Sequence, residues 1–266
     1  MPKARPRSVA LVCAGSISRS DITRVPNLVS HLGPIKAGTM RVASRAANTL
    51  RAGFPVQRYE ELKDTSFILI SSPAERAAEL ISALAGAELE WANRVVVLMG
   101  SSLDSSQLGQ LQAKGATVAS LHLVEFPGTP LCIVEGPDAA VRALQNVTGV
   151  KLLQVRQGEM PQCHAALCLA SHCFLPLFDA CVQSLFEAGL DVGQAQKFAD
   201  RLILRSLSGY AKAGKSSWAP VPREFMLEKA GRLQNSNPSL AVFYSTMFDL
   251  AGNWMRRQCP AGNPDL

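Results

Sequence analysis

A chain of 266 residues, 47% hydrophobic and 18% charged, carries enough apolar side chain for one large core or two modest ones, which excludes a fibre or a disordered tract. Its formal charge is +6 and its isoelectric point near 9.1, yet the basic residues are dispersed and no basic run is interleaved with aromatics, which argues against nucleic acid as a partner. Seven cysteines, an odd number without C-x-x-C spacing, point to reduced thiols in the cytoplasm rather than to a disulfide framework or a zinc site.

In chain order, Met1-Pro2-Lys3-Ala4-Arg5-Pro6-Arg7 reads as a loose tail feeding a first strand, because the apolar run behind it is short and Arg19, Asp21 and Arg24 follow at once. No segment reads as a membrane span. Ser8-Val9-Ala10-Leu11-Val12-Cys13-Ala14-Gly15 is the short continuous apolar run of a buried parallel strand, and a glycine just past such a strand lets the backbone approach a pyrophosphate at a helix N-terminus. Gly15, Ser16, Ile17 and Ser18 are therefore expected to contact a dinucleotide. Against G-x-G-x-x-G, the stretch Cys13-Ala14-Gly15-Ser16-Ile17-Ser18 keeps only the middle glycine, the one that admits the pyrophosphate. A second apolar run, Met40-Arg41-Val42-Ala43, reads as the next strand and ends in Ser44-Arg45. An NAD site places a carboxylate there for the ribose, whereas a hydroxyl beside a guanidinium suits a 2′-phosphate, so the expected cofactor is NADP(H). The spacing from Gly15 to Arg45 is about 30 residues against the roughly 20 usual for this motif, which implies an insertion over about residues 21–38.

Strands and helices then alternate. Residues 66–70 read as a strand ending in Ser71-Ser72-Pro73, 74–85 as an amphipathic helix, and 94–99 as a strand ending in Gly100-Ser101-Ser102. A helix from about 104 to 114 closes on Gly115. A strand over 117–121 leads into His122, and strands over 130–134 and 151–155 flank a helix over 138–147. The alternation predicts an α/β fold: a Rossmann-like, doubly wound, mostly parallel sheet over residues 1–157. Ligands of such sheets lie outside the carboxyl ends of the strands. Ser71, Ser72, Pro73, Gly100 and Ser101 thus join Gly15 to Ser18 and Ser44-Arg45 as candidate cofactor contacts.

From residue 158 to 266 the pattern is all helical. Residues 159–188 are apolar almost all round, which reads as a buried central helix kinked at Pro176 and capped near Gly189, with further helices over 192–213, 223–234 and 240–257. So apolar a helix needs more cover than these neighbours supply, which predicts a homodimer built through the helical half. His164, Cys168 and His172 recur every four residues, one stripe about 80° wide, so His164, with His172 and His122, are the candidate proton donors or substrate contacts. Cys163, Cys168 and Cys173 spread round more than half of the helix and cannot converge on one metal, so no metal site is expected.

Leu103-Asp104-Ser105-Ser106-Gln107-Leu108 to Lys114-Gly115-Ala116, then Ser120-Leu121-His122-Leu123, then Cys163-His164-Ala165-Ala166-Leu167-Cys168-Leu169-Ala170-Ser171-His172 carry a family resemblance over nearly the whole chain. They resemble the uncharacterised Rossmann-like oxidoreductases with a C-terminal helical domain of unknown function, similar in plan to pyrroline-5-carboxylate reductase and to the 6-phosphogluconate and β-hydroxyacid dehydrogenases. The resemblance implies NADP binding, a helical dimerisation domain and a small-molecule substrate. This chain departs from that pattern at His122-Leu123, where the family tends to His-Pro, and at His172, where it tends to Asn. It departs again at Ser208-Gly209-Tyr210 to Ala213-Gly214-Lys215, where a Thr-Gly-Pro and Arg-Gly-Asp stretch is usual. The lysine used by hydroxyacid dehydrogenases has no counterpart in residues 159–188. Three functions remain open on the sequence: a reductase moving hydride between NADPH and a small carbonyl or imine, a nucleotide-binding sensor or structural protein without catalysis, and a purely structural dimer that has lost the cofactor.

Overall fold

The computed structural model describes residues 8–14, 22–23, 25–100, 104–124, 131–217 and 222–258. Its internal contacts divide the chain into two compact units, Met1–Leu167 and Cys168–Leu266. The first is an eight-stranded sheet in the order β3-β2-β1-β4-β5-β6-β7-β8, from β1 (Val9–Cys13), β2 (Leu32–Ala37), β3 (Phe54–Val56), β4 (Phe67–Ser71), β5 (Val95–Met99), β6 (Thr117–Val124), β7 (Leu131–Glu135) and β8 (Leu152–Val155). All neighbours run parallel except β6 and β7.

The apolar strand runs are continuous because both faces are covered. Val9, Leu11 and Cys13 pack against Ala43, Ala46, Ala47, Leu50, Ala140 and Leu144 on one face, while Ala10, Val12, Ile68 and Ile70 meet Leu80, Leu84, Leu108 and Leu111 on the other. Arg94, 7% exposed, ties a loop to this sheet: its guanidinium donates to the carbonyls of Leu62 at 3.1 Å, Lys63 at 2.6 Å, Thr65 and Glu90.

Most expected elements form, and the helices over Ala74–Ala85 and Val192–Ala213 have the anticipated limits. The second strand does not. Met40–Leu50 is a helix (α2, with α1 being Pro26–His31), and the strand lies before it at Leu32–Ala37, inside the presumed insertion. The buried positions Ala43, Ala46, Ala47 and Leu50 recur with helical spacing. Thr39 caps the helix by accepting from the Val42 N–H at 3.3 Å. Gly33 and Pro34 disguise β2, since proline donates nothing to a ladder. The register between β1 and β2 slips there, with Val9 opposite Leu32 but Leu11 opposite Ile35, so the proline falls at a bulge.

In the second unit, Phe174–Glu187 packs on Val192–Ala213 and Arg223–Ser236 on Pro238–Gln258. Asn237 joins the pairs by donating to Glu187 Oε1 at 2.6 Å. Gly189, at φ +101°, closes the first of these helices as expected. Ahead of Pro176 the chain relaxes into a π-turn over Leu169–Cys173, a local answer to the lost proline N–H.

Two expectations for the long helix need correction. Met160–Glu187 is, among the described residues, one helix long and apolar enough to cross a membrane, and its most apolar 18-residue stretch is not buried within this chain. Leu169 and Leu175 are exposed, as are Phe198, Leu204, Leu227, Val242 and Trp254 on the other helices. The physical reason is shortage of cover: the buried apolar residues described in this unit are Ala195, Ala199, Leu240 and Ala241.

Candidate active site

The register aligns the strand ends. Ala37 lies opposite Cys13, Cys13 opposite Ser71, Ser71 opposite Met99, and Met99 opposite Leu121. This row is the carboxyl edge of the parallel part of the sheet, where an open α/β fold binds its ligand. Ser71 and Ser72 close β4 there, Ser72 Oγ donating to the Pro73 carbonyl at 2.9 Å ahead of the Ala74–Ala85 helix. Gly100 follows β5 and donates to the Leu121 carbonyl at 3.3 Å. Gly15, Ser16, Ile17, Ser18 and Ser101 lie outside the described residues.

Ser44 and Arg45 sit on the second turn of α2, with Arg45 exposed. Because β2 ends at Ala37, the residues that follow that strand are Gly38, Thr39, Met40 and Arg41. Thr39 comes about 24 positions after Gly15, close to the roughly 20 expected, so the insertion is unnecessary. That segment holds no carboxylate, and it offers a hydroxyl and a guanidinium. Lys36, nearly buried on β2, adds a second cation. Its ammonium donates to the Ala37 carbonyl and lies 4.7 Å from the centre of the Tyr59 ring. Cys13, at the end of β1, is a packing group rather than a nucleophile. Burial pushes its thiol up to about 11 against the opposing pull of Lys36.

One step beyond the strand-end row, on β6, stands His122. The structure brings it to His164, with ring centroids 5.2 Å apart in an edge-to-face arrangement at 66°. His164 projects from the first helix after the sheet (Met160–Cys168), whose opening residue Met160 is fully buried. Its Nε2 is buried and has no hydrogen-bond partner among the described residues. Burial first, then the neighbouring His122, lowers its pKa from the ordinary 6.5, while Asp104 and Glu135 pull the other way. His172 belongs to the second unit, where its Nδ1 lies 3.0 Å from Ser171 Oγ. The described residues hold no cluster of histidine, cysteine or carboxylates arranged to bind a metal.

Sequence reasoning missed Lys36, Thr39, Arg41, Asp104 and Glu135. The helical spacing of small alanines after Thr39 could have revealed the first three; nothing local marks Glu135.

No family model matches the chain, and no curated protein matches it by sequence. Its fold is shared with solved structures. An imine reductase variant from Myxococcus stipitatus in complex with NAD+ superposes with a TM-score of 0.68 at 12% identity, over 94% of this chain and 94% of that one. A reductive aminase from Aspergillus terreus in complex with NADPH and ethyl-5-oxohexanoate gives 0.65 at 11% identity, over 92% and 93%. A pyrroline-5-carboxylate reductase from Coxiella burnetii gives 0.52 at 8%, over 89% and 96%. The chain therefore has the Rossmann-like sheet followed by helices of these oxidoreductases, as its sequence led us to expect.

Proposed function

We propose that the protein is an NADP(H)-dependent reductase that moves hydride between the nicotinamide and a small carbonyl or imine, with His164 as proton donor. The observation that carries this reading is the His122–His164 pair just beyond the carboxyl edge of the sheet, with the buried Nε2 of His164 unpartnered. The residues fit a dinucleotide. Ala14, Ser71, Ser72 and Gly100 are small and uncharged where a diphosphate must approach, and Thr39 and Arg41 follow β2 where a 2′-phosphate is read. Gly15 to Ser18 are the proposed pyrophosphate contacts, with Ser71, Ser72, Pro73, Gly100 and Ser101 lining the rest of the edge. Ser44 and Arg45 become flanking positions.

A bound nicotinamide supplies the hydride. His164 gives its proton to the oxygen or nitrogen that gains the electron pair, and His122 sits against its ring and keeps it in place. Depressing the imidazole's basicity makes its protonated form a stronger acid, which suits donation to a weakly basic atom. The solved structures of like fold include imine reductases and a reductive aminase with NADPH, which supports this substrate class. The runner-up, a nucleotide-binding protein without chemistry, draws on the single glycine of the turn.

We further propose a cytoplasmic homodimer. The six described cysteines are free. Polar residues recur along the helices of the second unit, among them Asp179, Gln183, Arg223, Glu228 and Arg232, so a second copy suits its exposed leucines and aromatics better than lipid does. Fluorescence titration with NADPH, followed by turnover of a panel of cyclic imines and small ketones, tests the reading. Binding with no turnover on any of them favours the runner-up, and no binding removes both.

A further inference from the structure

Glu135, the last residue of β7, is 1% exposed, and the described residues place no lysine or arginine in an ion pair with it. Four donors occupy its oxygens instead. Oε1 accepts from Gly158 N–H at 2.6 Å and Ser105 Oγ at 2.9 Å; Oε2 accepts from Ser120 Oγ at 3.1 Å and Ser105 N–H at 3.4 Å. A buried carboxylate without a cation persists only when its lone pairs are filled this way. The four donors come from three residues in different parts of the site. Ser105 opens the short helix that follows β5, Ser120 lies two residues before His122 on β6, and Gly158 is in the turn that enters the helix bearing His164.

We infer that Glu135 is the positioning residue of this site, clamping the entry turn at Gly158 to strand β6 so that His164 is held against His122. Gly158 has φ +85°, a left-handed turn that opens the helix only if its N–H is anchored, and Glu135 is that anchor. His164 comes six positions later, less than two helical turns, so a shift of the turn passes directly to the imidazole. The groups facing that imidazole are His122 from β6, Asp104 from the segment before Ser105, and Glu135 from β7. On the entry turn itself, Arg156 and Glu159 pair at 4.0 Å on the surface. Glu135 also favours the charged imidazole, opposing burial and His122. The consequence for turnover rests on His164 being the proton donor; the positioning does not.

Nuclear magnetic resonance on the isotopically labelled full chain tests this. In the unaltered protein the Gly158 amide should resonate downfield and exchange slowly. Glu135→Gln, of equal size but uncharged, should move the His164 titration midpoint down. Glu135→Asp keeps the charge but shortens the reach, so it should speed Gly158 exchange and move the His164 midpoint less than Gln does. A folded Glu135→Gln with an unmoved His164 midpoint overturns the inference. So does rapid Gly158 exchange in the unaltered protein, a measurement that stands even if the variants do not fold. NADPH titration of the same samples separates the two readings, since failure to bind cofactor removes the reductase and leaves these outcomes untouched.

Discussion

Replacing Arg41 with alanine tests the proposed cofactor assignment. Arg41 is exposed in the first turn of the Met40–Leu50 helix, two residues past the Thr39 cap. A charged hydrogen bond contributes about 1.5–3 kcal/mol, and exposure to solvent keeps this one in the lower half of that range. We expect Arg41→Ala to weaken NADPH roughly 10- to 30-fold, while NADH, which lacks the 2′-phosphate, changes less than about threefold. Helix loss cannot imitate the result. A cation in the first turn opposes the helix dipole and alanine has the higher propensity, so the variant should melt no lower than the parent. Arg45 lies one turn on, about 6 Å along the axis, where screening leaves a long-range contribution of about twofold. Isothermal titration with both cofactors at about 0.1 M salt reads all three numbers. Equal losses for NADPH and NADH, or a greater cost at Arg45 than at Arg41, would refute the reasoning.

Once a substrate is in hand, His164→Gln should lower turnover by about 10²-fold or more with NADPH affinity within a few-fold, and unchanged turnover would return the residue to the core. Because the His164 pKa is lowered from 6.5 by burial and His122, reduction should speed up as pH falls through and below that value. Stability should move the opposite way: the unfolded imidazole takes a proton first, so His164's contribution is full above pH 6.5 and is lost as pH falls below it. Chemical denaturation at several pH values, with His164→Gln as reference, checks the sign. Sedimentation should show a dimer at micromolar concentration, and a monomer that stays soluble without detergent would remove the second-copy reading of the helical unit. Arg94→Ala removes a donor from the carbonyls of Leu62, Lys63, Thr65 and Glu90 and should cost about 2–4 kcal/mol by urea unfolding; a loss below about 1 kcal/mol would show that water replaces the guanidinium readily.

Much of the architecture was legible because buried parallel strands and long amphipathic helices write strong local patterns. Val9–Cys13, Phe67–Ser71 and Val95–Met99 are short runs of β-formers, and Ala74–Ala85 repeats its apolar side at helical spacing, as Ala77, Leu80, Ile81 and Leu84 show. Leu32–Ala37 was illegible for a definite reason. Its glycine, proline and lysine each argue against a central strand, and they are tolerated because a register slip takes the proline and an aromatic face with a carbonyl takes the lysine. Met40–Leu50 was misread for the complementary reason. Its buried face is mostly alanine, which adds little to an apolar count however regular its spacing, so the four residues Met40 to Ala43 looked like a strand.

The site divides along the same line. His164 could be singled out because histidine is rare in this chain and stands on an apolar helix, where an imidazole needs either a partner or a purpose. Its relation to His122 is a matter of register: β6 must extend one residue past the strand-end row, and the following helix must enter at a fixed height, for two residues 42 positions apart to meet edge to face. That height is set by a carboxylate on an antiparallel strand and a glycine in a turn, neither of which carries a motif. What a cofactor touches in such folds lies on turns with recognisable composition, whereas what holds the proton donor still lies in the core, where Glu135 looks like any other acidic residue until its four donors are seen. The histidine pair and its clamp should therefore fail together when Gly158 is released, and the ends of β1, β2 and β4, which carry none of the donors to Glu135, should not.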